Sequence, residues 1–126
     1  MHEVTILKPE LYERIKHLSH IAEKSGFLNL QLLGIRELPR HILKIKKLKK
    51  LQLDFNPRLI WKGGIPPEFS MLKSLSLKSC YLPSLPDSVS NLKRLSSFYC
   101  ELNKFELLPN TINRLKFLVT LGGLNN

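Results

Sequence analysis

The sequence predicts an α/β solenoid: a parallel sheet built one strand per repeat, irregular or 3₁₀ return arms behind it, and a helix covering the N-terminal end. Three observations predict it. Leucines recur in one figure with a period of 23 or 24 residues, the self-similarity that marks repeat architectures. Each period contains a Leu-x-Leu pair, in which the leucines point to one side and their neighbours to the other, as strand side chains alternate. A Leu-Pro pair follows, where proline removes a backbone donor and turns the chain out of the sheet.

The figure is clearest in Leu72, Leu75, Leu77, Cys80, Leu82, Leu85 and Pro86. Advanced by 23 residues it becomes Leu95, Phe98, Cys100, Asn103, Phe105, Leu108 and Pro109; moved back by 47 it becomes Ser25, Leu28, Leu30, Leu33, Ile35, Leu38 and Pro39. After each Leu-Pro, apolar residues recur every third place: Ile42, Ile45 and Leu48, then Val89, Leu92 and Leu95, then Ile112, Leu115 and Leu118. That spacing suits a loose turn of helix or 3₁₀. One coil alone leaves its leucines exposed, so coils must stack on one another. At about 1.5–3 kcal/mol per buried leucine, stacking is the main source of stability.

The pattern L-x-x-L-x-L-x-x-[N/C]-x-L-x-x-L-P resembles the leucine-rich repeat family from about residue 25 to the C-terminus. The resemblance implies a short, curved leucine-rich repeat solenoid with the strands on its concave side. It also implies that the residue in the Asn/Cys place hydrogen-bonds backbone groups where a strand ends. Asn56 and Asn103 hold that place in two coils. Cys80 holds it in a third and is expected to be a buried structural thiol, since S–H is a weak donor. Cys100, in the second leucine place of its strand, is expected to point inward. The two cysteines hold different places, so no disulfide is expected. Leu33 fills the Asn place of the first coil and has nothing to bond with.

The coil from Leu48 to Leu72 departs from the figure. Its Ile65-Pro66 imitates Leu-Pro but comes four residues late, and the arm after it is three residues short. We expect Trp61 to fill the inward leucine place, with Gly63-Gly64 and Pro66-Pro67 forming a local bulge. A binding role for an exposed Trp61 is the alternative.

Residues 9–24, PELYERIKHLSHIAEK, read as an amphipathic helix. Pro9 suits a first turn, and Leu11, Ile15, Leu18 and Ala22 share a face. Glu10–Arg14 is an i,i+4 pair, and Gly26 is a stop. Val4-Thr5-Ile6 lies 24 residues ahead of Leu28-Asn29-Leu30 and is expected to form a first strand. The expected organisation is one structural domain: residues 1–26 as strand and capping helix, and residues 27–126 as about four repeats plus an incomplete last one. The final figure, Leu118, Leu121, Gly123 and Asn126, stops at the Asn place. Terminal repeats are normally capped. The expectation is a fragment or shortened product, or a last coil covered by a partner or by a second copy through self-association.

The chain has 20 Lys+Arg against 10 Asp+Glu, a net charge of +10, which favours acidic partners. KIKKLKKL, residues 44–51, keeps the apolar spacing throughout. Its lysines therefore read first as the solvent-facing positions of an arm, then as a surface for an acidic protein, and last as a surface for nucleic acid or anionic lipid. No stretch approaches the ~20 apolar residues of a membrane span. The N-terminus lacks the basic and apolar segments of a secretory signal. Two cysteines without such a signal point to a reducing compartment, the cytoplasm.

No catalytic set is legible: there is no Gly-rich phosphate loop, Gly-x-Ser-x-Gly or His-Glu-x-x-His. His17 and His20 are i,i+3 on the helix without an evident third ligand, so a solvated face is expected there, with no metal and no cofactor. The expected function is non-enzymatic binding of a protein or peptide at the concave face. The expected contacts are Asn29, Gln52, Asp54, Phe55, Ser76, Lys78, Tyr99 and Glu101. Five or six strands ~4.8 Å apart give a strip ~25 Å wide and ~15 Å deep. That is roughly 400 Å², half of one partner's share of a standard interface, so a peptide or a weak contact fits best.

Overall fold

A computed structural model describes residues 9–61, 64–101 and 103, and the strand at 120–122. The expected strand at Val4–Ile6, the last return arm and the C-terminal residues after 122 lie outside the described residues. Helix α1 spans Pro9–Ser25 and strand β1 spans Phe27–Asn29. A single turn, α2, follows at Arg40–Leu43, then β2 at Lys50–Gln52. A 3₁₀ turn at Pro67–Met71 leads to β3, Ser74–Ser76; another at Asp87–Asn91 leads to β4, Ser97–Tyr99; β5 is Thr120–Gly122. The five strands form one parallel sheet in chain order. Leu28, Leu51, Leu75, Phe98 and Leu121 stand in one register row. The fold is the predicted α/β solenoid.

Helix α1 buries Ile15, Ser19 and Ala22 and packs Leu11 and Leu18 against the same core. It ends where Gly26, at φ +78°, donates its N–H to Ala22 O at 2.8 Å; that left-handed cap is costly for any residue with a Cβ. The arms repeat one device. Pro39, Pro66 and Pro86 sit at φ −60°, −71° and −67° with ψ near 150°. The carbonyl of each accepts the N–H three residues on, from Ile42, Phe69 and Val89. Those three side chains are fully buried.

The second coil corrects one expectation. Ile65, not Trp61, holds the inward leucine place: Ile65 is 3% exposed and precedes the proline that starts the 3₁₀ turn. Trp61 is half-buried against the core, and its indole Nε1–H donates to Gly64 O at 2.9 Å. Leu59 takes the buried place between Asn56 and Ile65. The spare residues thus precede Ile-Pro in the chain, with Gly63 of the expected bulge outside the described residues, and the arm after it loses one turn. Val89 is followed by Leu92 and Leu95, whereas Phe69 is followed by Leu72 alone before the next strand. An indole N–H needs a polar partner when buried, and the Gly64 carbonyl supplies it.

The predicted polar column is present. Asn56 Oδ1 accepts the N–H groups of Leu33 and Ile35 at 3.3 and 3.2 Å, and its Nδ2 donates to Leu30 O and Leu53 O at 3.0 and 2.8 Å. Asn103 repeats this, accepting Leu82 N–H at 2.9 Å and donating to Leu77 O and Cys100 O at 2.7 and 3.0 Å. Between them the Cys80 thiol donates to Leu53 O at 3.1 Å. Each of these side chains ties a turn of its own coil, or the strand behind it, to the preceding coil.

Cys80 and Cys100 are both buried free thiols. Burial pushes Cys80 up to about 11, and burial with the Glu101 charge pushes Cys100 up to about 11. Since the thiolate is the reactive form, both cysteines should react with a disulfide reagent at pH 8 on the order of 100-fold more slowly than free cysteine. Two equivalents should be released at once in denaturant. Rapid native-state labelling of either would contradict this packing.

Candidate interaction surface

The face of the sheet turned away from the arms carries the expected contact residues, in three rows set by the register. Phe27, Lys50, Ser74 and Ser97 form the first row. Asn29, Gln52, Ser76 and Tyr99 form the second. The third follows the strand ends, where Leu30, Leu53 and Leu77 donate N–H to the coil ahead, and contains Gln31, Asp54, Lys78 and Glu101. Asn29 is exposed, and Gln52, Lys78, Tyr99 and Glu101 are half-exposed.

Asp54 and Ser76 differ from expectation: they are 4% and 7% exposed. Ser76 Oγ–H donates to Asp54 Oδ1 at 2.6 Å, Lys78 N–H donates to the same oxygen at 2.9 Å, and Gln52 Nε2 donates to Asp54 Oδ2 at 3.1 Å. Gln52 also reaches Gln31 Oε1 at 3.0 Å. A carboxylate takes such a place only with its oxygens satisfied. The two side chains form the floor of the face, and Asp54 holds Gln52 in position. Strand alternation placed them on this face, but it says nothing of a bond between neighbouring coils.

Lys78 is similarly committed. Its ammonium lies 3.5 Å from Glu101 and 5.1 Å from the ring centre of Tyr99, a cation–π approach. Beyond the third row, Leu32, Phe55 and Ser79 all adopt positive φ, 58°, 59° and 54°. Phe55 N–H donates to Lys78 O at 2.8 Å, which fixes that bend and lifts the ring outward, 45% exposed. Leu32 is 70% exposed beside it, one coil earlier.

Sequence reasoning missed one part of this surface. Leu18 and Ile21 of α1, with Phe27, Leu28, Asn29, Lys50 and Gln52, enclose a cleft of about 370 Å³ where the helix meets the sheet. The helical spacing contained the signal: Ile21 falls off the buried face of α1, yet it is apolar.

A second cleft, about 530 Å³, lies between α1 and the first arm, with Tyr12, His17, His20 and His41 in its wall. The Tyr12 and His41 rings meet edge to face at 5.9 Å. Burial, and then the Lys16 charge, hold the His41 imidazole below its usual range. His20 pairs with Glu23 at 3.9 Å. Among the described residues no three side chains are grouped to hold a metal ion, and no helix is long and apolar enough to cross a membrane.

The sheet, the Pro-started arms and the Asn–Cys–Asn column together define a leucine-rich repeat scaffold. The chain is similar to a leucine-rich repeat protein of Leptospira interrogans, with a TM-score of 0.59 and 26% identity over 96% of this chain. The match covers 36% of that protein's chain, so the present sequence spans about a third of its length. No family model matches the sequence.

Proposed function

We propose that this chain is a non-enzymatic recognition module that binds a protein or peptide across the concave face of its repeats. The observation that carries the proposal is the tied floor of that face. Asp54, Ser76, Gln52 and Gln31 hold one another by hydrogen bonds across three coils. Asn29, Phe55 and Tyr99 therefore stand on a surface that needs no rearrangement before a partner arrives. Preorganisation of this kind removes ordering costs from binding, and tyrosine is favoured at interfaces. The proposal sets the protein in the cytoplasm, a reducing compartment in which the free thiols persist.

The test compares the parent chain with Phe55→Asp/Tyr99→Asp in a pull-down read by mass spectrometry, with folding checked by circular dichroism. Partners held by the parent should be lost by the variant. If both hold the same partners, the concave face is not the recognition surface. Retention of the parent on a polyanion column, abolished by neutralising Lys46, Lys47, Lys49 and Lys50, would favour a basic nucleic-acid or lipid surface instead. Concentration-dependent mass in light scattering would favour self-association.

A further inference from the structure

The charges of the concave face are unevenly disposed. Towards the C-terminal ends of the strands they find partners within the face. Asp54 is saturated by Ser76, Lys78 N–H and Gln52, and Glu101 has Lys78 at 3.5 Å. Towards the N-terminal ends they do not. Lys49 and Lys73 stack in adjoining coils, because Lys49 O accepts the N–H groups of Lys73 and Ser74 at 2.7 and 3.1 Å. Lys50 begins β2 beside Phe27. All three lysines are exposed, and among the described residues none of them makes an ion pair.

This ledge adjoins the helix–sheet cleft. Lys50 lines the cleft. The stem of Lys49 lies over Gly26, where a Cβ would meet its Cγ and Cδ at 3.4 Å, and Gly26 is the residue that joins α1 to β1. The mouth of the cleft is apolar, with Ile21 47% and Phe27 61% exposed and Leu18 half-buried beside them. Large exposed apolar side chains grouped around a concavity mark a binding site. Its volume of about 370 Å³ is within the range of ligand sites.

We infer that the cleft bounded by Leu18, Ile21 and Phe27, with Lys50 in its wall, Lys49 next to it and Lys73 one coil beyond Lys49, takes an acidic peptide segment that inserts one or two apolar side chains. The apolar residues would fill the cleft and the flanking carboxylates would pair with the ledge. A polyanion uses the ledge and leaves the cleft empty; an uncharged apolar segment does the reverse. An acidic, apolar-centred peptide is complementary to both. This inference rests on the reading of the concave face as a recognition surface, and it moves the centre of binding from Tyr99 to the helix-capped end.

Fluorescence anisotropy on the full chain tests it. The probe is a labelled peptide of glutamate and aspartate with two adjacent central leucines. Controls are the same peptide with serines for leucines, its lysine-for-acid counterpart, an oligouridine and phosphatidylserine vesicles. The leucine peptide should bind at least tenfold more tightly than either control peptide. Its affinity should fall at least tenfold in Ile21→Asp and in Lys49→Glu/Lys50→Glu, and several-fold between 0.05 and 0.5 M salt, where screening of exposed charges is nearly complete.

Equal binding of the serine peptide, tighter binding of oligouridine or vesicles, or no binding of the leucine peptide overturns the inference. So does binding that develops only in Val4→Asp/Ile6→Asp, which would make the chain's own N-terminal segment the occupant. The two proposals fail separately. Lysate partners that survive Ile21→Asp but are lost in Phe55→Asp/Tyr99→Asp would remove this inference and keep the concave-face reading. Partners that survive both variants would remove both.

Discussion

Asn56→Ala should lower the free energy of unfolding by about 4 kcal/mol, measured by urea denaturation. The side chain is fully buried and serves two coils at once. Its loss strands the N–H groups of Leu33 and Ile35 and the carbonyl of Leu30, all bonded at 3.3 Å or less, and leaves Leu53 O with the Cys80 thiol as its side-chain donor. A buried polar group left without a partner costs about 1–3 kcal/mol, and three are at stake. The figure stays below their sum because some of the groups regain partners as the turn relaxes. The column also supplies a control. Asn56→Cys copies the arrangement at Cys80, whose thiol donates to a carbonyl of the preceding coil. It should cost measurably less than Asn56→Ala. Equal losses would mean that the column matters for volume and not for hydrogen bonds.

Phe69→Ala should cost about 4 kcal/mol, in the middle of the range for a buried aromatic side chain, and Phe69→Val about half as much. The reason is the shortened second arm. Coil three fills its convex side with Val89, Leu92 and Leu95 in succession. Coil two has lost a turn there and closes with Phe69 and Leu72. The larger ring occupies volume that would otherwise hold a further apolar residue, so valine, sufficient at position 89, leaves a void at 69. If Phe69→Val were as stable as the parent, the ring would not be filling that space.

What was legible in the sequence follows from what a repeat makes redundant. Leu28, Leu51, Leu75 and Phe98 announce their row because each holds the same place as the others. Cys80 could be understood from Asn56 and Asn103 on either side. The solenoid, the helix and its Gly26 stop, and the backbone role of the column were all readable in this way. Counting forward from Leu48 puts Trp61 in the inward place because it assumes that every coil spends its residues evenly. The chain instead puts the surplus before Ile65 and removes a turn after Phe69, which only counting backward from Leu72 would suggest. Asp54 and Ser76 stand on the face that alternation gives them, but buried in it. Alternation sets the direction of a side chain, while a bond such as Ser76 to Asp54 depends on which residue stands one coil away. The cleft at Ile21 and Phe27 needed the angle between helix and sheet, which no linear pattern contains.

The bonds between coils share one interval. Asn56 reaches residues 21, 23 and 26 places away, Asp54 reaches 22 and 24, Asn103 reaches 21 and 26, and Cys80 reaches 27. Every closure therefore forms a loop of nearly the same size and carries nearly the same entropic cost, which rises only with the logarithm of loop length. Among the described residues, none of these bonds has to wait for distant parts of the chain to meet. Once two neighbouring coils have docked, the next adds by the same short search. Folding speed should thus depend on the stability of the first docked pair and hardly at all on how many coils follow.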